Sequence, residues 1–154
     1  MSVDWRANLE KLGLTLPPVS APQAAYVPAV RSGNHVYVSG QVPIVDGKIA
    51  ATGKVGAEVT PEEAKAWART CALSVLAAVD ALVGLDNVTR VVKVGGFVAS
   101  APGFTGQPEV INGASELFAA VLGEAGTHAR SAVGVAELPR GVPVEVEAIV
   151  EVAA

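Results

Sequence analysis

From residue 142 to 152 the chain reads VPVEVEAIVEV, an alternation that leaves little choice of local structure. Side chains on a β-strand point to opposite faces in turn. Val142, Val144, Val146, Ala148, Val150 and Val152 therefore share one apolar face, and Glu145, Glu147, Ile149 and Glu151 share the other. A strand of this kind needs a hydrophobic cover on one side only, which points to a two-layer α+β arrangement.

The cover is legible upstream. In Thr60-Pro61-Glu62-Glu63 the threonine caps, the proline takes the first helical position and Glu63 completes a capping box. Behind it Ala64, Trp67, Ala68, Cys71, Val75, Leu76, Val79 and Leu82 recur at helical spacing, and Gly84 marks the end. A second helix is predicted from about Pro108 to Leu122, with Val110, Ala114, Leu117, Val121 and Leu122 inward. Asn112-Gly113 is unusual there, because both are poor helix formers; it reads equally as a site contact or a packing constraint.

Trp5, Leu9 and Leu12 predict a short N-terminal helix, followed by a proline-rich, extended stretch from Leu16 to Pro22. AAYVPAV and HVYVSGQVPI read as a hairpin turned at Arg31-Ser32-Gly33-Asn34. The Gly-rich residues 46–59 read as a loop with a short strand, and Gly33, Gly40 and Gly47 as turn glycines. TRVVKVGGFVAS reads as a buried strand, with Gly95-Gly96 marking a bulge or a close backbone approach. Two last strands, roughly 129–137 and 142–152, complete the order β-β-(β)-α-β-α-β-β. The domain division is an N-terminal helix and arm, 1–22, and a single domain, 23–154.

If both helices cover one face, the other meets water or another subunit. Only 17% of residues are charged, against about 25% in typical soluble domains. With 51% apolar residues, this surplus predicts a homo-oligomer. Asp80 interrupts the longest apolar run, so no membrane association is expected. The first residues, MSVDWRANLEKLGL, lack a signal-peptide pattern, and a lone Cys71 suits a reducing compartment; a cytoplasmic location is the expectation. A net charge of −4 without a basic cluster argues against nucleic acid.

Few residues stand out as chemical. His35 and His128 read as turn or surface residues, Cys71 as core, and neither a metal-ligand cluster nor a cofactor fingerprint occurs. In the strand ARSAVGVAELP, Ser131, Val133 and Val135 share one face. Arg130, Ala132, Gly134 and Ala136 share the other, where small side chains permit close approach of a chain or ligand. Arg130 alone reads as a salt-bridge partner or an anion-binding group. The acids of the last strand read as interface ion pairs or as a site.

ARSAVGVAELP followed by VPVEVEAIVEV resembles the C-terminal signature of the RidA (YjgF/YER057c/UK114) family. VYVSGQVPI, AAYVPAV, VVKVGGFVAS and VINGASELF fall in the family's order, so the resemblance spans about 23–152. The opening helix is similar to that of a longer subgroup. The resemblance implies a chorismate-mutase-like mixed sheet with two helices on one face, a homotrimer around a central β-barrel, and clefts between subunits. It implies hydrolysis of reactive 2-imino acids to 2-keto acids and ammonia, without metal or cofactor. By motif position, Arg130 holds a substrate carboxylate and Glu145 orients or deprotonates water, with the backbone carbonyl of Ala132. Tyr26 and Ser39 line the cleft, and Asn112 lies near it. Three departures concern the substrate: Ala132 for a common cysteine, Ala24-Ala25 for Gly-Pro, and Thr127-His128 for Phe-Pro. Two other classes stay open, a non-catalytic binder of small carboxylates and, less supported, an endoribonuclease.

One geometric expectation follows from pairing the last two strands as a hairpin centred near Arg140. Arg130 then lies opposite position 150 and Glu145 opposite Val135, an offset of roughly 16 Å. Twist, bulging or a neighbouring chain must then unite the two residues.

Overall fold

The computed structural model describes residues 3–19 and 25–154. The predicted arm beyond Val19 and the boundary at 22/23, with Ala24, lie outside the described residues. Three helices, α1 (Trp5–Lys11), α2 (Pro61–Val83) and α3 (Gln107–Leu122), accompany seven strands. The strands are β1 (Ala29–Ser32), β2 (His35–Gln41), β3 (Ile44–Val45), β4 (Lys48–Ile49), β5 (Val88–Ala99), β6 (Ala129–Val135) and β7 (Val144–Val152). Five of them form a sheet in the order β1-β2-β7-β5-β6, and β3 and β4 form a separate two-residue hairpin.

The local signals translate directly. Thr60 Oγ1 accepts from the Glu63 amide at 3.1 Å and donates to the Glu63 carboxylate at 3.1 Å, closing the start of α2. The even residues of β7 are buried under the helices, beside Ala64, Ala68, Cys71, Val75, Leu76 and Val79 of α2. Burial pushes the Cys71 thiol up, as befits a core residue. Leu82 departs from the predicted stripe and is 45% exposed, whereas the neighbouring Val83 packs against the core. By length and composition α2 resembles a membrane-crossing helix, but its apolar side forms the interior of this domain. On α3 the inward residues include Ile111 and Phe118 as well as the five expected.

Helix α1 joins the same core. Asp4 caps it by accepting from the Ala7 amide at 3.0 Å, and Trp5 and Leu9 are buried. The Trp5 indole donates to Asp86 at 2.8 Å, and Asn8 donates to the carbonyl of Val121 at 2.9 Å. The Trp5 bond, with two more from Arg6 Nη1 at 3.2 and 3.3 Å, holds the Asp86 carboxyl below its ordinary value.

The predicted hairpin of the last two strands is not formed. Strand β5 lies between them, parallel to β6 and antiparallel to β7. Helix α3 is the crossover of a β-α-β unit, a connection that naturally sets parallel strands side by side. The Ser100 amide donates to Val135 and the Ala99 amide to Pro143, so the end of β5 is bonded to both neighbours. Residues 136–143 carry the chain across that end, turning at Pro139–Gly141.

Two glycines let the layers approach. A Cβ on Gly96 would lie 2.6 Å from Ile111, and one on Gly113 would lie 2.0 Å from the Lys65 carbonyl oxygen. At Gly96 the close approach is made by the Ile111 side chain rather than by another backbone, and the strand register is regular there. At Gly113 the obstacle is backbone, so Gly113→Ala must separate α2 from α3. We expect a loss of about 2–4 kcal/mol despite alanine's better helix propensity. Chemical denaturation of the variant checks this; unchanged stability would mean that the helices have room to move.

Candidate functional site

The candidate residues form two groups on one chain. At the outer edge of the sheet, alternation on β6 puts Arg130, Ala132 and Gly134 on the face of their β5 partners Val94, Gly96 and Val98. Those partners are buried beneath the helices, so Arg130 points toward α3. Its Nη1 donates to Asn112 Oδ1 at 2.8 Å and to Ser115 Oγ at 3.2 Å, and its Nη2 donates to the Pro108 carbonyl at 3.2 Å. All three acceptors are neutral. None of the ion pairs among the described residues involves Arg130. A half-buried guanidinium thus keeps its charge unneutralised, and among the described residues its Nε meets no acceptor. Nε and Nη2 form one edge of the planar fork, a geometry suited to two parallel bonds to a carboxylate.

Ala132 is one step further along this face, partly buried and packed against the core. Among the described residues strand β6 has no neighbour on its outer side in the sheet. The small side chains expected to face an open cleft instead lie on the helix side. Gly134 is pressed by Ser100 and Gln107, whose side chains would stand 2.9 and 2.7 Å from a Cβ there.

The second group lies on the opposite face, toward the other end of the strand order. Glu145 pairs with Phe97 of β5, which in turn pairs with Val133 of β6. Its carboxylate rests over Gly40 of β2, where a Cβ would stand 2.5 Å from Oε2. The turn role expected for Gly40 is therefore corrected: it lies within β2 beside a register shift, and its missing side chain is the space Glu145 occupies. Burial, followed by the nearby Glu147 carboxylate, raises the Glu145 carboxyl above its ordinary value. Neighbouring Ser39 Oγ donates to the Val27 carbonyl at 2.7 Å, tying down the segment that carries Tyr26, which is 48% exposed.

Arg130 and Glu145 do not meet within the chain. Arg130 aligns through Val94 with Ala148, three residues from Glu145. Two strand spacings and three residues place the backbones roughly 14 Å apart, with side chains on opposite faces. Neither twist nor bulging therefore unites the two residues within one chain. A concavity of about 340 Å³ on the uncovered face is lined by Tyr37, Lys93, Phe97, Ser131 and Glu147, among others. Another, of about 410 Å³, lies outside, between α2 and α3, around Lys65 and Gly113. Among the described residues no group of three or more His, Cys, Asp or Glu could hold a metal ion.

Two residues that the sequence reading did not assign to a site lie beside Arg130. Ser115 Oγ lies 2.8 Å from His128 Nε2, and His128 Nδ1 lies 2.6 Å from the Gly126 carbonyl. His128 read as a turn or surface residue, yet it shares the parity of Arg130 and Ala132 on the strand leading out of Thr127. That parity was the available signal. Asn112-Gly113 served both readings at once, asparagine as a contact to Arg130 and glycine as a packing site.

The sequence matches the family described as Endoribonuclease L-PSP over residues 18–152. It is 52% identical to Protein TCP17 of Trypanosoma cruzi over 147 residues, covering 94% of this chain and 92% of that protein. The crystal structure of Atu1372 from Agrobacterium tumefaciens, a protein of unknown function, superposes with a TM-score of 0.90 at 49% identity; the match covers 97% of this chain and 92% of that one. TdcF of E. coli, solved with bound serine, gives 0.64 at 26% identity over 91% and 96% of the two chains.

Proposed function

This chain belongs to the Endoribonuclease L-PSP family, which includes YjgF and RidA, and from that premise we propose that it is a cofactor-free deaminase of 2-imino acids. The observation that carries the reading is the state of Arg130: a half-buried cation held by three neutral acceptors, with a donor edge suited to a carboxylate. TdcF, a family relative, holds serine, itself a small carboxylate.

The proposed site forms between subunits. One protomer contributes Arg130, Asn112 and the Ala132 backbone at its β6 edge. The neighbour contributes Tyr26, Ser39 and Glu145. A homotrimer would cover Tyr37, Val30 and Val133, which are 48%, 52% and 44% exposed in the single chain. It would also bury the surplus apolar surface of the composition.

In the proposed reaction Arg130 fixes the carboxylate, so that C2 of the imine faces a water held by Glu145. The Glu145 carboxylate accepts a proton as the water oxygen bonds to C2 of the protonated imine, giving a neutral tetrahedral amino alcohol. Glu145 returns that proton to the nitrogen. As the C–N bond breaks with its electron pair on ammonia, the hydroxyl oxygen becomes the keto oxygen and its proton passes to the departing ammonia. Protonated imino acid plus water thus becomes keto acid plus ammonium. An imine is already electrophilic, so positioning supplies most of what is needed.

The test generates 2-iminopropanoate with an amino-acid oxidase and follows its capture by semicarbazide. Micromolar protein is expected to lower the captured fraction. Undiminished capture excludes the deaminase. Saturable binding of 2-keto acids without turnover would make the protein a carboxylate-binding module. Metal-free cleavage of RNA in a parallel assay would favour the nuclease reading that the family description suggests.

A further inference from the structure

Three donors, Arg130, Ser115 and His128, are arranged head to tail. The Gly126 carbonyl can only accept, so the 2.6 Å contact places the imidazole hydrogen of His128 on Nδ1. In the neutral ring Nε2 is then a lone pair, and the Ser115 hydroxyl, 2.8 Å away, must donate to it. With its proton so committed, Ser115 presents only lone pairs to Arg130 Nη1 at 3.2 Å. The hydrogen bonds run one way, from Arg130 to Ser115, from Ser115 to His128 and from His128 to the backbone. Bonds aligned in this manner reinforce one another. Phe118 meets the imidazole edge to face, with centroids 5.8 Å apart at 89°, and fixes the ring plane. A side chain on Gly126 would strike the Phe118 carbonyl, so the backbone end of the chain is also held in place.

We propose that His128 and Ser115 are positioning residues for Arg130. By dictating the direction of the Ser115 hydroxyl they lock the rotation of the guanidinium, so that its Nε–Nη2 edge faces the ligand carboxylate. The functional consequence rests on the reading of Arg130 as the carboxylate-binding group; the lock itself does not.

Side-chain ¹⁵N NMR of the ligand-free protein tests the lock. His128 is expected as the Nδ1–H tautomer, and the Arg130 Nη protons as separate, slowly exchanging signals that collapse in His128→Phe and Ser115→Ala. An Nε2–H tautomer, or Arg130 signals indifferent to both substitutions, overturns the proposal. Calorimetry with 2-oxobutanoate tests the consequence. Each of the two variants is expected to bind roughly fivefold to tenfold more weakly. The double variant should be no weaker than either single, and His128→Gln, which keeps an acceptor for Ser115, should recover to within about twofold of wild type. Turnover number should change less than KM. Additive losses, or a glutamine variant as weak as phenylalanine, overturn the proposal while leaving the carboxylate reading intact if Arg130→Ala abolishes binding. If Arg130→Ala binds normally, it is the carboxylate reading that fails, and the NMR result still decides the lock.

Discussion

Replacing Arg130 by alanine is expected to weaken binding of a small 2-keto acid by roughly a hundredfold or more, with little change in melting temperature. The size follows from losing a two-bond contact between charged partners, each bond being worth about 1.5–3 kcal/mol. The small effect on folding follows from the environment. Asn112, Ser115 and the Pro108 carbonyl are neutral and near the surface, so water can replace the guanidinium without stranding a buried charge. Arg130→Lys is expected to recover only a fraction of the affinity. A single ammonium cannot serve two carboxylate oxygens and three internal acceptors together. Calorimetry on the three proteins, with thermal unfolding as the control, makes the comparison. Wild-type affinity in Arg130→Ala would assign the guanidinium a purely structural role in tying β6 to α3.

The second large effect concerns Glu145. Glu145→Gln is expected to lower turnover of 2-iminopropanoate by at least a hundredfold, the usual scale for removing a general base, while 2-keto acid binding stays within a fewfold of wild type. The deprotonated carboxylate is the active form, so activity falls as pH falls through its pKa. Burial and Glu147 raise that pKa, so the acid limb should lie above the ordinary value of 4.5. The same shift has a stability consequence of defined sign. The folded protein holds the Glu145 proton more tightly than the unfolded chain. Its contribution to stability is therefore greatest below the unfolded pKa and declines as pH rises through the folded pKa. Glutamine has no such decline, so the variant should melt no lower than wild type at neutral pH. Gly40→Ala supplies an independent arm: its Cβ would displace only the end of a flexible side chain, costing roughly tenfold in turnover with little loss of stability. A glutamine variant retaining more than a third of wild-type turnover would remove Glu145 from the chemistry.

These expectations combine residues that the sequence identified with an arrangement it did not contain. Alternation along β7 and β6 assigned every side chain to a face correctly relative to its own strand. Yet placing Arg130 and Glu145 in one cleft required knowing how the two strands relate, and alternation carries no information about neighbours. A hairpin was the economical assumption for consecutive strands. The β-α-β crossover through α3 instead set β6 beside β5 and left β7 on the far side. His128, read as a turn or surface residue, does sit in the loop before β6, but its bonds to Ser115 and Gly126 were not legible, because they form only when α3 folds back on the strand.

By itself, then, the sequence determined the elements, their apolar faces and the helix caps, because these depend on interactions within a few residues. It also carried the family motifs and with them Arg130, Asn112 and Glu145. Only the tertiary structure decided that Arg130 and Glu145 occupy opposite faces of one sheet, and that among the described residues the arginine stands without a charged partner. Strand order and burial arise from contacts between residues distant in the chain, where loop closure and packing, not local periodicity, choose among the alternatives.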